Sequence, residues 1–330
     1  MIDHYLPSPD RYESGMIYNR CGRSGVLIPQ ISLGMWQNFG STAPYERSKA
    51  ILRTAFDEGI CHFDLANNYG PVFGSAEENF GKMMETDFKP FRDEMFISTK
   101  AGWNMWPGPY GNWGSRKYLM ASLDQSLQRM HLDYVDIFYS HRYDPNTPLE
   151  ETLQALVDIV RSGKALYAGI SSYPYEAAKF AYEYLEAHDT HCLLNQTKLN
   201  MLYTDPIEKH ILELGQEKGV GFIAFSPLAQ GQLTNRYLNG VPAGSRGDNG
   251  TLKGSVTPEL VEKLNKLNDM AAERGQSLAQ MALSWDFAQP GLTSVIVGAS
   301  SVEQLKDSLK AVHSPALTSE ELTRIADILK

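Results

Sequence analysis

From Ile31 onward, short apolar runs rich in β-branched residues alternate with longer amphipathic stretches of helical period. Strand side chains change face at every residue, whereas helical ones return to a face about every 3.6 residues. The switching between these two periods therefore reads as repeated βαβ units around a parallel sheet. Eight runs have strand character: Ile31 to Gly34, His62 to Ala66, Met95 to Lys100, Val135 to His141, Ala165 to Ser171, Cys192 to Gln196, Gly221 to Ser226 and Ser294 to Gly298. Eight parallel strands with helices between them predict an α/β fold, a closed TIM (β/α)8 barrel.

Helical patterns such as SKAILRTAFDEG, RKYLMASLDQSLQRM, PLEETLQALVDIVRSG and PIEKHILELGQEKG lie between the runs. Gly59, Gly163 and Gly219 stand where a left-handed residue would stop three of them. Before the first strand, Tyr18 to Pro29 encloses CGRSG between apolar residues, which predicts an N-terminal β-hairpin able to plug one barrel end. After the seventh strand, QGQLTNRYLNGVPAGSRGDNGTLKGSV is too long for an ordinary connection and predicts a lid or binding segment. There is no internal repeat, heptad pattern or obvious linker, so residues 1–330 read as one domain.

Composition narrows the function. Thirty Lys and Arg against thirty-nine Asp and Glu give a net charge of -9, which provides no global basic field for nucleic acid or anionic lipid. The N-terminal MIDHYLPSPDRYESGM carries acids and prolines without an apolar run, so neither a secretory signal nor a membrane span is expected. Cys21, Cys61 and Cys192 are scattered and lack the spacing of a zinc or dithiol motif. Reduced thiols, a cytoplasmic location and no metal are the expectation.

In a parallel barrel the reactive groups sit at the C-terminal strand ends. Asp64 lies within the second strand and Tyr69 in the loop after it; Lys100 ends the third strand and His141 the fourth. A phenol ionises near a pKa of about 10, and a nearby cation such as Lys100 favours its anion. Asp64 would supply the counter-charge of the Lys100 ammonium, and His141 would orient or polarise a substrate oxygen. Taken singly, each of these residues is more often structural than catalytic. Placed together on successive strands they suggest carbonyl chemistry, although a Schiff-base role for Lys100 stays open at this level. Trp36, Trp103 and Trp106 fall on loops at the same face as candidate substrate-pocket walls, with Arg142 as a candidate partner for an anionic substrate group.

The runs FDLANNYG, GSAEENFG, STKAG, DIFYSHR, GISSY, NQTKLN, FSPLAQG and VIVGAS, in this order, resemble the aldo-keto reductase superfamily over residues 18–310. The likeness is greatest to the bacterial L-glyceraldehyde 3-phosphate (methylglyoxal) reductase branch, itself similar to the β subunits of voltage-gated potassium channels. The resemblance implies a catalytic tetrad of Asp64, Tyr69, Lys100 and His141 with Tyr69 as general acid. It also implies NADPH lying across the barrel mouth, bordered by Trp36, Asp64 and Tyr69.

The carboxamide clasp of that cofactor maps onto Ser171, Ser172 and Gln196, and the aromatic beneath the nicotinamide onto Phe225. The pyrophosphate maps onto Ser226, Pro227, Leu228, Ala229, Gln230 and Gly231. The 2′-phosphate and adenine map onto Arg236, Arg246, Gly298, Ser300, Gln304, Asp307 and Ser308. Two positions depart from the pattern: the family often has Glu-Asn in place of Asp307 and Ser308, and other branches commonly carry Arg in place of Gln304.

The expected partner is a small carbonyl substrate, with no nucleic acid and no membrane, and relatives suggest a homo-oligomer. The competing reading is a cofactor-sensing protein that docks onto another protein, as the channel β subunits do. Those subunits carry Asn where this chain has His141, which favours the enzyme.

Overall fold

The structure is a computed structural model that describes residues 5–330. Strands β1 (Tyr18–Arg20) and β2 (Leu27–Pro29) form the expected antiparallel hairpin. The barrel strands follow: β3 (Ile31–Gly34), β4 (His62–Asp64), β5 (Phe96–Ala101), β6 (Val135–Ser140), β7 (Ala165–Ser171), β8 (Cys192–Lys198), β9 (Gly221–Phe225) and β10 (Leu292–Val297). Each pairs in parallel with its neighbours in chain order, and β10 pairs with β3 to close the ring. The eight runs read from the sequence are these eight strands, with ends that agree to within two residues.

Period-two alternation decides which side chains fill the barrel. Ile137, Tyr139, Leu194, Ile223 and Ile296 form an interior cluster, joined from the N-terminal end by Cys21 and Ile28 of the hairpin. The hairpin is therefore a plug, as expected. The opposite strand faces carry the larger cluster between sheet and helices, including Leu33, Phe63, Phe138 and Phe222.

Gly59, Gly163 and Gly219 take positive φ values of 84°, 75° and 69° just past helix ends, the conformation that costs glycine no Cβ clash. One helical pattern is divided. PIEKHILELGQEKG forms Asp205–Glu208 and Ile211–Lys218, with His210 in the left-handed region between them. The break redirects the chain so that Ile211, Leu212 and Leu214 are buried.

After β9 the long segment is not an open loop. It contains short helical turns at Ala229–Gly231, Asn235–Tyr237 and Arg246–Asn249, held down by buried Leu233, Tyr237 and Leu252. Helices Pro258–Glu273 and Leu278–Phe287 then lead into β10. Among the described residues no helix is long and apolar enough to cross a membrane.

Candidate active site

Asp64 and Lys100 both point into the barrel because each lies an even number of residues from an inward neighbour on its strand, His62 on β4 and Ser98 on β5. Lys100 Nζ donates to Asp64 Oδ2 at 2.7 Å and to the Leu65 carbonyl at 2.5 Å, and it reaches the Tyr69 hydroxyl at 3.4 Å. Asp64 Oδ1 accepts from Ser98 Oγ at 2.7 Å and from Gln196 Nε2 at 3.0 Å. Both charged groups are buried, so the pair depends on these extra hydrogen bonds to offset its desolvation.

Tyr69 comes from the loop after β4, where its N–H donates to the Ala66 carbonyl and Gly70, at φ 84°, turns the chain. A Cβ on Gly70 would meet the Gly40 Cα at 2.8 Å, so only glycine lets these two loops approach. The Tyr69 ring lies 5.8 Å from the His141 ring, edge-on, and 6.2 Å from Trp36. Lys100 Nζ also sits 4.6 Å from the Tyr69 ring centre. The structure thus brings all four tetrad candidates together.

Burial moves these groups in different directions. Desolvation lifts the Tyr69 phenol above its ordinary pKa of 10.0, against the downward pull of the Lys100 ammonium. Desolvation also works against the charge on Lys100, but Asp64 and Tyr69 outweigh it and raise the ammonium pKa. His141 is held well below 6.5 by burial and by the cations Lys100 and Arg142, so its imidazole is neutral. Its buried Nδ1 has no hydrogen-bond partner among the described residues. A cation-tuned phenol beside a neutral imidazole can give a proton to, and orient, an oxygen that is gaining negative charge.

The substrate candidates divide. Trp103 stands edge-on to His141 at 6.3 Å. Arg142 is sandwiched between Trp103 and Trp113 at 3.9 and 3.5 Å, donating to the Gly102 carbonyl and to Asn112 Oδ1. Trp106 instead packs on Tyr118, with ring centres 5.1 Å apart, and joins the main core. Trp113 and Asn112 escaped the sequence reading because nothing in their spacing marks them. Ser98 and His62 could have been found, since each stands two residues before a tetrad member on the same strand face.

The cofactor candidates line the strand ends on the other side of the mouth. Ser171 and Gln196 are partners across β7 and β8, and the Ser172 N–H donates to the Gln196 carbonyl at 3.0 Å. Phe225 ends β9, half-buried against the interior cluster. Beyond it Ser226, Ala229, Gln230 and Gly231 all have positive φ, so the segment that also holds Pro227 and Leu228 winds tightly; a Cβ on Gly231 would meet nothing within 4 Å.

Half-buried Arg246 donates to Gln37 Oε1 at 2.5 Å and to the Gln230 carbonyl at 3.4 Å, tying the long segment across to the loop after β3. Burial and then the neighbouring Arg236 cation lower the Arg246 pKa. Two guanidinium groups near one another suit a phosphate dianion.

Past β10, Gly298 and Ser300 lead into the helix Val302–Leu309, where Gln304 Oε1 accepts from the Ser300 N–H and hydroxyl. The Asp307 carboxylate accepts from Ser277 and Gln280, and Ser308 is buried with its hydroxyl on the Gln304 carbonyl. Asp307 is thus occupied in tying this helix to the one before it, and Ser308 in a bond within its own helix. The remaining set, with its open Gly231 backbone, fits an extended nucleotide.

An interior acid-lysine pair, a phenol and a neutral imidazole thus lie together at the open end of a plugged barrel. The Aldo/keto reductase family model matches residues 30–330, and the chain belongs to that family; it is an oxidoreductase. It is 53% identical over 327 residues to an L-glyceraldehyde 3-phosphate reductase of Escherichia coli O157:H7, covering 97% of this chain and 94% of the relative. It is 52% identical, with the same coverage, to the protein of that name in Escherichia coli strain K12. It is also 35% identical over 322 residues to a probable voltage-gated potassium channel subunit beta of Oryza sativa subsp. japonica, covering 96% of this chain and 97% of the relative. Aldo-keto reductases generally use NAD(P)H.

Proposed function

We propose that the chain uses NADPH to reduce small aldehydes of the glyceraldehyde 3-phosphate or methylglyoxal type, with Tyr69 as general acid. The observation that carries this reading is the chain of contacts from Asp64 through Lys100 to the Tyr69 hydroxyl, with neutral His141 beside it. When bound, NADPH supplies hydride to the carbonyl carbon. Tyr69 gives its proton to the oxygen as negative charge develops there, and Lys100 steadies the phenolate left behind. His141 orients that oxygen, and Trp36, Trp103 and Arg142 wall the pocket, with the guanidinium toward an anionic substituent. Arg236 and Arg246 support NADPH over NADH.

A Schiff-base role for Lys100 is disfavoured by its engagement with Asp64 and the Leu65 carbonyl and by its raised pKa, because a protonated amine has no lone pair to attack with. A docking role draws on the 35% identity to the plant protein named as a channel subunit.

The test mixes protein, NADPH and methylglyoxal and follows the loss of reduced-nicotinamide absorbance. Wild-type turnover that Tyr69→Phe reduces by about a thousandfold or more is expected. A wild-type protein that binds NADPH but turns over neither methylglyoxal nor glyceraldehyde 3-phosphate would leave the docking role as the better reading.

A further inference from the structure

Barrel interiors of this kind are normally filled by bulky apolar side chains. Here the side formed by β10, β3, β4 and β5 carries a continuous polar chain instead. Ser294 Oγ lies 2.7 Å from Ser32 Oγ, Ser32 Oγ lies 2.8 Å from His62 Nδ1, and His62 Nε2 lies 3.2 Å from Ser98 Oγ. Ser98 then reaches Asp64 Oδ1 at 2.7 Å. All five residues are buried. Four polar side chains in place of apolar ones weaken the core unless their hydrogen bonds serve something.

The direction of every bond follows from its end point. An ionised carboxylate only accepts, so Ser98 donates to Asp64. The Ser98 oxygen is then the acceptor for His62, which places the imidazole proton on Nε2. His62 Nδ1 must accept from Ser32, and Ser32 in turn accepts from Ser294. One uncharged tautomer therefore aligns all four donors toward Asp64, and each bond polarises the next. Burial keeps His62 in the neutral form this alignment requires, with a pKa of about 4. Phe96 closes its flank, edge-on at 5.4 Å, and Asp64 and Lys100 are the charged groups that face it.

We propose that His62 and Ser98 are positioning residues, which hold the Asp64 carboxylate from beneath and, through Asp64 and Lys100, set the acidity of Tyr69. Donation to Oδ1 draws charge away from Oδ2, the oxygen that faces Lys100. Without that donation Oδ2 is more negative, screens the ammonium more strongly from Tyr69, and leaves the phenol less acidic. The groups that face Tyr69 are Lys100 and Asp64, with neutral His141 and Trp36 beside it. This inference rests on Tyr69 being the proton donor.

The experiment measures kcat for NADPH-driven aldehyde reduction against pH in wild type, Ser98→Ala, His62→Leu, the double variant and His62→Gln. Ser98→Ala should lower kcat several-fold and move the alkaline limb upward by roughly half a pH unit. The KM for NADPH should stay within twofold. His62→Leu should do the same to a smaller degree, and nothing further once Ser98 is Ala, because His62 acts only through Ser98. His62→Gln, whose amide can donate where Nε2 did, should restore the wild-type limb.

Variants that fold and turn over with an unmoved alkaline limb, or losses that add in the double variant, would overturn the inference while leaving Tyr69 as the acid. An inactive wild type, or a fully active Tyr69→Phe, would overturn the proton-donor reading itself.

Discussion

At the scale of single residues, protonation states decide the chemistry. Tyr69 has a raised pKa and His141 a strongly lowered one, so neither changes state near neutrality. The reductive kcat should therefore be flat from about pH 6 to about pH 9 and fall only as Tyr69 loses its proton above that range. An inflection near about 6.5 in a pH series would mean that His141 titrates in the working enzyme.

His62 makes a prediction about stability. Its pKa of about 4 in the folded protein lies below its ordinary 6.5, so between those values the unfolded chain takes up a proton that the folded one refuses. Its share of the stability is intact above about 6.5 and is lost progressively as pH falls to about 4. The full loss is about 3 kcal/mol. Urea titrations at a series of pH values should show His62→Gln losing less stability than wild type over that window.

At the scale of elements, strand periodicity made the barrel legible, and Asp64 and Lys100 as inward residues that break apolar runs, whereas Tyr69, in a loop, was singled out as the acid by the family resemblance. What was not legible depends on contacts distant in sequence. Arg142 reads as a partner for an anionic substrate group, but its stacking against Trp113, a residue far along the preceding loop, carries no signal in the spacing. Asp307 reads as an adenine contact, yet Ser277 and Gln280 from another helix occupy it. The break at His210 had no signal either, since the apolar spacing continues through it.

Asp286, near the end of the helix Leu278–Phe287, is buried with neither carboxylate oxygen hydrogen-bonded among the described residues. Burial pushes its pKa well above the ordinary 3.8. As pH rises past the unfolded value, the unfolded chain releases a proton that the folded one keeps, so stability falls through that window. Asp286→Asn should gain about 1–2 kcal/mol at neutral pH and nothing at about pH 3, read from chemical denaturation midpoints.

The plug has a tight fit of its own. A Cβ on Gly22 would lie 1.9 Å from the Gly219 carbonyl oxygen, which already accepts from the Arg23 N–H. Gly22→Ala should cost about 2–4 kcal/mol, measurable as a lowered Tm, with kcat at lower temperature nearly unchanged because the mouth lies at the other end.

At the scale of the whole molecule, the segment after β9 behaves as a strap. Arg246 joins it to Gln37 in the loop after β3, so Arg246→Ala should raise the KM for NADPH about tenfold or more and speed proteolysis near residues 240–250. An unchanged KM together with unchanged proteolysis would mean that the strap stays closed without this contact.

Closure of the ring by β10 against β3 has a consequence for synthesis. Ser32 meets Ser294 across 262 residues of chain, so the polar side of the barrel cannot be completed until almost all of the protein has left the ribosome. Until then β3 and β9 are unpaired edges flanking an incomplete sheet. A chain that ends before Leu292 would therefore lose more than its last strand and helices: it would carry two adhesive borders and a polar interior chain cut off at Ser32, and should associate with other nascent chains.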